Sequence, residues 1–287
     1  MDYEAPQYSM SFDDDQGQVH TTSDTDMNAL TKKVLQSLNP APVIEELPDT
    51  YVLLPAGIIV DDKVVQDAEV QELNGEHEEK LAKSRLTNNP AKYINTLLQC
   101  GTVAIGDSPA TPAVIESLIQ GDLDMLMIGI RRATFGDIFE VFNVECPHCG
   151  TFNDMEMNLK DIPVKKLDDP TVREFVVPLR RGRKAKVQFP TGAVQTEIFK
   201  TQLTIPEMNH ITLAACILSF TEADGSEVMC NGLAHVKKMS VPDRNTVEKF
   251  IVDNQPGPRY DQVVAPCHSC EGEVLVPLNV GILFREL

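Results

Sequence analysis

Apolar side chains recur along this chain at two spacings, and the switch between them marks out its elements. Met27, Leu30, Val34 and Leu38 fall near helical spacing, with Asp24 or Thr25 placed to cap and Asn39-Pro40 to end the helix. A proline-containing linker leads to Tyr51-Val52-Leu53-Leu54, which reads as a strand entering a turn at Pro55-Ala56-Gly57. Helical segments are predicted from Glu76 to Leu86, Pro90 to Cys100, Pro112 to Gln120 and Asp122 to Ala133. The last carries Leu123, Met125, Leu126, Met127, Ile128 and Ile130, apolar on nearly every side, so it belongs in the centre of a core. Gly136 ends it, Phe139 to Val144 runs extended, and Met155, Met157 and Leu159 alternate as a strand does.

The second half repeats the plan. Glu174 to Leu179 and Lys184 to Phe189 flank a hairpin at Arg180-Arg181-Gly182-Arg183. A helix with Pro206 in its first turn continues through Leu213 to Leu218, and another starts after Ser240 as cap. An offset of 121 carries Gly136, Phe139, Glu140, Cys146 and Cys149 onto Gly257, Tyr260, Asp261, Cys267 and Cys270. It also carries Met155, Met157 and Leu159 onto Val276, Leu278 and Val280. Leu54-Pro55-Ala56-Gly57 is echoed by Phe189-Pro190-Thr191-Gly192 at a different offset, 135. Any two Cys-x-x-Cys loops resemble each other to a degree, but agreement of a glycine, an aromatic, an acid and a strand in one register favours duplication. The expected architecture is α+β: a duplicated two-lobe body of strands and helices joined by a zinc-ribbon-like four-cysteine site. Residues 1–49 form an acidic arm with a short helix and linker, 50–170 the first repeat and 171–287 the second.

Composition narrows the chemistry. The 287 residues carry 43 acidic against 25 basic side chains, a formal charge of -18. Such a surface repels phosphate, which argues against broad nucleic-acid binding. No apolar run reaches the length of a membrane span, and the N-terminus Met1 to Asp15 lacks a signal peptide's basic and apolar regions, so the cytosol is the expected site of synthesis and use. In a reducing compartment the seven cysteines read as metal ligands or redox centres before disulfides. Cys100, Cys216 and Cys230 stand in apolar or mixed surroundings and read as ordinary buried thiols.

Cys146-Pro-His-Cys149-Gly150 has the form of a zinc knuckle, and Cys267-His-Ser-Cys270-Glu-Gly272 is a second. Two thiolates two residues apart chelate one ion, and a glycine lets the backbone turn its amides to the sulfurs. A structural zinc wants four ligands, so Cys146, Cys149, Cys267 and Cys270 are expected to share one Zn²⁺. A redox pair usually opens a helix, whereas both pairs here lie between extended segments. His148 and His268 offer substitute ligands, a catalytic zinc would need an open position, and two metal-free pairs are the remaining alternative. Arg180, Arg181, Arg183, Lys184 and Lys186 form the one dense basic cluster; it reads as a solvated hairpin or as a dock for an acidic partner. It has no interleaved aromatics for base stacking. Arg131-Arg132 reads as a helix-terminus charge pair, and Glu76-His77-Glu78-Glu79 as a solvated helix face. No nucleotide loop, no His-Glu-x-x-His and no nucleophile–base–acid set is present, so the chain is not expected to be an enzyme.

With these features in place, the chain resembles the T-even phage family of baseplate hub and tail assembly proteins. The residues that carry the resemblance are Leu54-Pro-Ala-Gly57, the run from Asp124 to Gly136, the knuckle Cys146-Pro-His-Cys149 and Phe189-Pro-Thr-Gly192, roughly residues 50 to 200. The acidic N-terminal arm departs from the pattern, and the match weakens after residue 220. The resemblance implies a structural protein of the virion tail, in the baseplate, assembled in the host cytoplasm. Its partners would be other baseplate or tail proteins, with copies of itself in a symmetric assembly, and neither nucleic acid nor membrane. The alternatives are a non-virion assembly factor that binds those subunits transiently and, more distantly, a zinc-ribbon protein acting on nucleic acid.

Overall fold

A computed structural model describes residues 50–198 and 203–285. The helix expected near residues 24–39 and the acidic arm lie outside the described residues. The chain opens with β1 (Tyr51–Val60) and β2 (Lys63–Val70), joined through Asp61 and Asp62, both left-handed at φ 49° and 61° as a two-residue hairpin turn demands. Pro55-Ala56-Gly57 does not turn the chain. It forms a bulge between Leu53 and Ile58 inside one longer strand. Proline cannot donate to the ladder, and Gly57 is left-handed at φ 69° with its missing Cβ only 2.2 Å from the Val65 carbonyl oxygen.

Helices α1 (Gly75–Arg85) and α2 (Pro90–Gly101) follow, capped by the Asn74 and Asn89 side chains. β3 (Thr102–Ile105) and β4 (Ser108–Pro109) complete a four-stranded antiparallel sheet in the order β1-β2-β3-β4. α3 (Pro112–Ser117) stops short of the expected Gln120 because Leu118 and Ile119 turn extended, at ψ 145° and 146°. α4 (Gln120–Phe135) then runs through the core with Leu123, Leu126, Met127, Ile128 and Ile130 buried, as its pattern predicts. β5 (Ile138–Glu145) and β6 (Phe152–Asn158) form a hairpin, and β7 (Val164–Lys165) ends the first half.

The second half passes through a parallel series of elements. β8 (Phe175–Pro178) and β9 (Lys184–Val187) form the hairpin; α5 (Gly192–Ile198) and α6 (Ile205–Cys216) follow. β10 (Ile217–Thr221) and β11 (Glu227–Met229) complete an antiparallel sheet ordered β8-β9-β10-β11. Then come α7 (Gly232–Val236), α8 (Val241–Asn254), β12 (Gly257–Pro258), the hairpin of β13 (Val264–Pro266) and β14 (Glu273–Leu275), and α9 (Val280–Leu283). Ser240 caps α8 as expected, its hydroxyl accepting from the Asp243 amide. The fold is α+β, with nine α-helices and antiparallel sheets among the described residues. The echo at offset 135 has no structural counterpart: Leu54–Gly57 lies inside a first strand, whereas Phe189–Gly192 follows a second one.

The halves interlock. One apolar cluster joins Leu54, Leu98, Leu126 and Phe139 to Val263, Val274, Val276 and Phe284 from the far end of the chain. The other joins Val177, Leu213, Phe220 and Val247 to Ala56 and Ile119 from the first half. β12 pairs with β7, and the Gly257 that follows α8 lies against Gly121 in the first turn of α4.

The start of α4 is tied down by Asp122, a residue the periodicity gave no reason to single out. Its carboxylate is buried and accepts from the Ala56 amide at 2.8 Å and the Gly57 amide at 3.0 Å. Arg173 donates to the carbonyls of the same two residues, at 3.1 Å each. The offset of 121 carries Asp122 onto Asp243, also buried, at the same place in α8. Asp243 accepts from the Arg180 amide at 3.1 Å and so holds the hairpin of its own half. Each long helix thus uses an acid in its first turn, where the helix dipole favours it, to anchor the first hairpin of its half.

Two outcomes follow from this packing. A Cβ on Gly121 would lie 1.8 Å from the Pro256 carbonyl oxygen, so Gly121→Ala forces backbone apart and should cost about 3 kcal/mol in urea unfolding. Gly75→Ala, with nothing within 4 Å, should stay within about 0.5 kcal/mol of the parent. The second outcome concerns pH. Burial raises Asp122 to about 7, against the Ala56 and Gly57 amides and Arg173, which pull it down. Burial also raises Asp124 to about 7, opposed by its bond from Gln120, and the Asp124 charge in turn helps raise the half-buried Tyr260 hydroxyl. An unfolded aspartate titrates near 3.9, so between about pH 4 and pH 7 the folded chain holds protons that the unfolded chain has lost. These two groups therefore contribute stability that is full below about pH 4 and declines as pH rises to about 7, by an upper bound of about 4 kcal/mol each. Asp124→Asn should lose less stability than the parent between pH 4.5 and 7.5 in paired urea titrations; an unchanged slope would refute the assignment.

Candidate metal centre

Two hairpins end in the same loop. β5 enters Cys146-Pro-His-Cys149 and β6 leaves it; β13 enters Cys267-His-Ser-Cys270 and β14 leaves it. In the first, Cys146 donates its amide to the Thr151 carbonyl and accepts at its own carbonyl from Gly150, both at 2.9 Å. In the second, Cys267 does the same with Gly272 and Glu271, again at 2.9 Å. The leading sulfurs accept amides two residues on, His148 to Cys146 Sγ and Ser269 to Cys267 Sγ, each at 3.4 Å. Such amides stabilise thiolate over thiol. Gly150 is left-handed at φ 72°, as the turn requires, but its counterpart is Glu271 at φ 58°, not the expected Gly272.

Gly272 has a different duty. A Cβ there would lie 2.5 Å from His148 Cδ2, so the imidazole seats directly on it. His148 Nε2 stands 3.2 Å from the Glu273 carbonyl oxygen, and this ring docks one loop on the other. His268 docks in the reverse direction, its amide donating to Asn153 Oδ1 at 3.0 Å. Asn153 is buried and donates to the Val144 and Thr151 carbonyls, so a buried amide side chain holds both loops in register. Neither histidine belongs to the sulfur cluster.

The four sulfurs of Cys146, Cys149, Cys267 and Cys270 lie within 4.8 Å of one another, across 121 residues of sequence. Cys146 and Cys270 are 3.7 Å apart, as are Cys149 and Cys267. Thiolates 2.3 Å from a tetrahedral zinc stand about 3.8 Å from each other. The donor set therefore fits one four-coordinate zinc, and it is all sulfur, which leaves no position for a substrate. Cys146 and Cys267 are buried, while Cys149 and Cys270 are exposed.

Electrostatics shows why the cluster calls for a cation. The Ser269 and Cys270 amides bring the Cys267 thiol down to about 6. Hydrogen bonds from the Thr151 hydroxyl and amide lower Cys149. The Gly272 amide also favours a Cys270 thiolate, but the neighbouring sulfurs of Cys149, Cys146 and Cys267 outweigh it and raise Cys270 to about 12. Four negative sulfurs this close repel one another strongly, and a divalent cation at their centre removes that penalty. Neither loop opens a helix, so the redox geometry weighed from the sequence is absent here.

The other singled-out residues have structural settings. In the basic hairpin, Arg183 pairs with Glu222 and Lys186 with Glu174, each at 2.9 Å, while Arg180, Arg181 and Lys184 are exposed. Arg131 is not a terminal charge: it is buried with its guanidinium over Phe135 and Phe139, at 4.3 and 5.4 Å. Arg132 does lie at the helix end and pairs with Asp137 at 2.7 Å. Cys100 and Cys216 are buried and Cys230 half-buried. On the acidic helix face, Glu79 pairs with Lys83 in solvent.

The family model of the T4 bacteriophage base plate protein matches residues 64–276. The chain belongs to this family. The matched stretch includes all four clustered cysteines and both buried aspartates, and it reaches well past the region 50 to 200 on which the resemblance rests. No curated protein and no solved structure matches the chain. Family membership ties the chain to the phage baseplate, and with it to other tail proteins. Among the described residues no helix is long and apolar enough to cross a membrane.

Proposed function

We propose that the chain is a structural subunit of a tailed-phage baseplate, stabilised by one zinc ion, that binds other baseplate or tail proteins in the virion. The observation that carries this reading is the family match over residues 64–276, which takes in both halves and the whole sulfur cluster. Cys146, Cys149, Cys267 and Cys270 are the ligands, and the ion clamps residues 50–170 to 171–287, two copies of one unit. The matching order of elements and the paired aspartates Asp122 and Asp243 support the duplication. A closed four-thiolate site supports a structural rather than a catalytic role for the metal. The net charge of -18 weighs against nucleic acid as a partner, and assembly in the host cytoplasm suits free thiols.

Metal analysis of the reduced protein should give a zinc-to-chain ratio near one. A ratio near two, or none, would overturn the shared site. Because the ion joins strands so distant in sequence, Cys146→Ser and Cys267→Ser should destabilise the fold about equally, by roughly 3 kcal/mol or more. If one of them were silent, the two loops would not share a metal. For the baseplate role, mass spectrometry of gradient-purified particles should find the chain at a stoichiometry typical of baseplate subunits. Detection in infected-cell lysate but not in particles would instead make it a non-virion assembly factor.

A further inference from the structure

The two cysteine loops match in their own hydrogen bonds, but the contacts that run between them do not match. Asn153 makes the buried one. Its side chain is 2% exposed, and both its nitrogen and its oxygen are engaged. Nδ2 donates to the Thr151 carbonyl at 2.9 Å and the Val144 carbonyl at 3.3 Å, on either side of its own loop. Oδ1 accepts the His268 amide of the other loop at 3.0 Å.

The offset of 121 carries Asn153 onto Val274 and Pro147 onto His268. On the opposite side of the cluster both partners are therefore missing together. Val274 has no side-chain acceptor, and Pro147 has no amide hydrogen to give. Removing one member of a buried hydrogen bond leaves the other unsatisfied, which costs more than removing both. Acceptor and donor thus behave as one unit, present on one side and absent on the other. The loop itself does not need the asparagine: the Gly272 carbonyl takes the Cys267 amide just as the Thr151 carbonyl takes that of Cys146, with no asparagine beside it.

Apolar packing does not fix the loops either. Val263, Val274 and Val276 seat the second hairpin in the first-half core, but residues 268–271 between them are exposed. His148 also crosses, to the Glu273 carbonyl, yet it is exposed, where water competes for the same atoms. Asn153 carries the buried part of the docking. Two thiolate pairs held apart would have to be ordered by the ion, at the expense of its affinity, and pairs already docked avoid that cost.

We propose that Asn153 is a positioning residue of the metal site: by holding the His268 amide it docks the two cysteine loops in the metal-free chain, so that the ion enters a ready four-thiolate set. Cys149 and Cys270, on the exposed side of the set, give the ion its way in. The effect on metal affinity rests on the shared-zinc reading; the docking does not.

The test uses cobalt(II), whose visible absorption reports tetrahedral thiolate coordination. Titrated into the reduced, metal-free full chain, it should bind once to the parent. Asn153→Val and His268→Pro each install the residue that the other loop has at the corresponding place. Both should weaken cobalt binding by about tenfold or more. At saturation both should show the parent's absorption, because the four ligands are unchanged. The double variant has the pairing of the opposite side and should bind no more weakly than Asn153→Val alone. Without metal, the His268 amide should be protected from hydrogen exchange in the parent and lose that protection in Asn153→Val. Should Asn153→Val fail to fold, His268→Pro decides by its affinity, since Pro147 already occupies the same place in the first loop. Parent-like affinity in either single variant, losses that multiply in the double, or an unprotected His268 amide in the metal-free parent would overturn the proposal. A parent that gives no thiolate-bound cobalt, but whose His268 amide is protected through Asn153, would sink the shared-zinc reading and spare the docking. Cobalt bound equally by parent and variants would do the reverse.

Discussion

The buried carboxylate of Asp122 is the contact on which the rest of the arrangement depends. It joins the first turn of α4 to the bulge of β1 by accepting two backbone amides, those of Ala56 and Gly57. The same helix start receives the second half: the Gln120 amide donates to the Pro190 carbonyl at 2.9 Å, and Gly121 admits the chain at Gly257. A helix apolar all round can sit only in a core, and a core helix must have its terminal amides and carbonyls met by protein. Here the groups that meet them come from both halves, so burying α4 and joining the halves are one event.

The sulfur cluster repeats that logic with different chemistry. Each loop is a complete unit of local hydrogen bonding, with its own turn and its own amide on sulfur, yet each offers only half a ligand set. Asn153 and His148 bring the two halves of the set together before any ion is considered. Since Val263, Val274 and Val276 lie in the first-half core, the second hairpin is placed by apolar packing as well as by sulfur. A metal held by these four sulfurs would reinforce an interface that packing has already aligned.

Much of this was legible without coordinates where the cause is local. The extent of α4 follows from its apolar run and Gly136, and the cap of α8 follows from Ser240 three residues before Asp243. The clustering of the four thiols follows from two Cys-x-x-Cys spacings and one register. What escaped notice depended on partners far along the chain. Pro55-Ala56-Gly57 looks like a turn to any local rule, and it is a bulge because β2 and Asp122 hold both sides of it. Arg131 and Arg132 are adjacent in sequence, and only packing decides that one stacks on Phe135 while the other pairs with Asp137.

By itself, then, the sequence determined the α+β class, the repeated order of helices and strands and the identity of the clustered thiols. Those rest on periodicity, turn chemistry and chelate spacing, which act over a few residues. Tertiary structure decided that the two apolar clusters exchange residues, that Asp122 and Asp243 serve as matching anchors, and that Arg173 reaches the Ala56 and Gly57 carbonyls. Those depend on which backbone groups are removed from water together. A buried donor or acceptor has no sequence signature until the fold fixes what surrounds it.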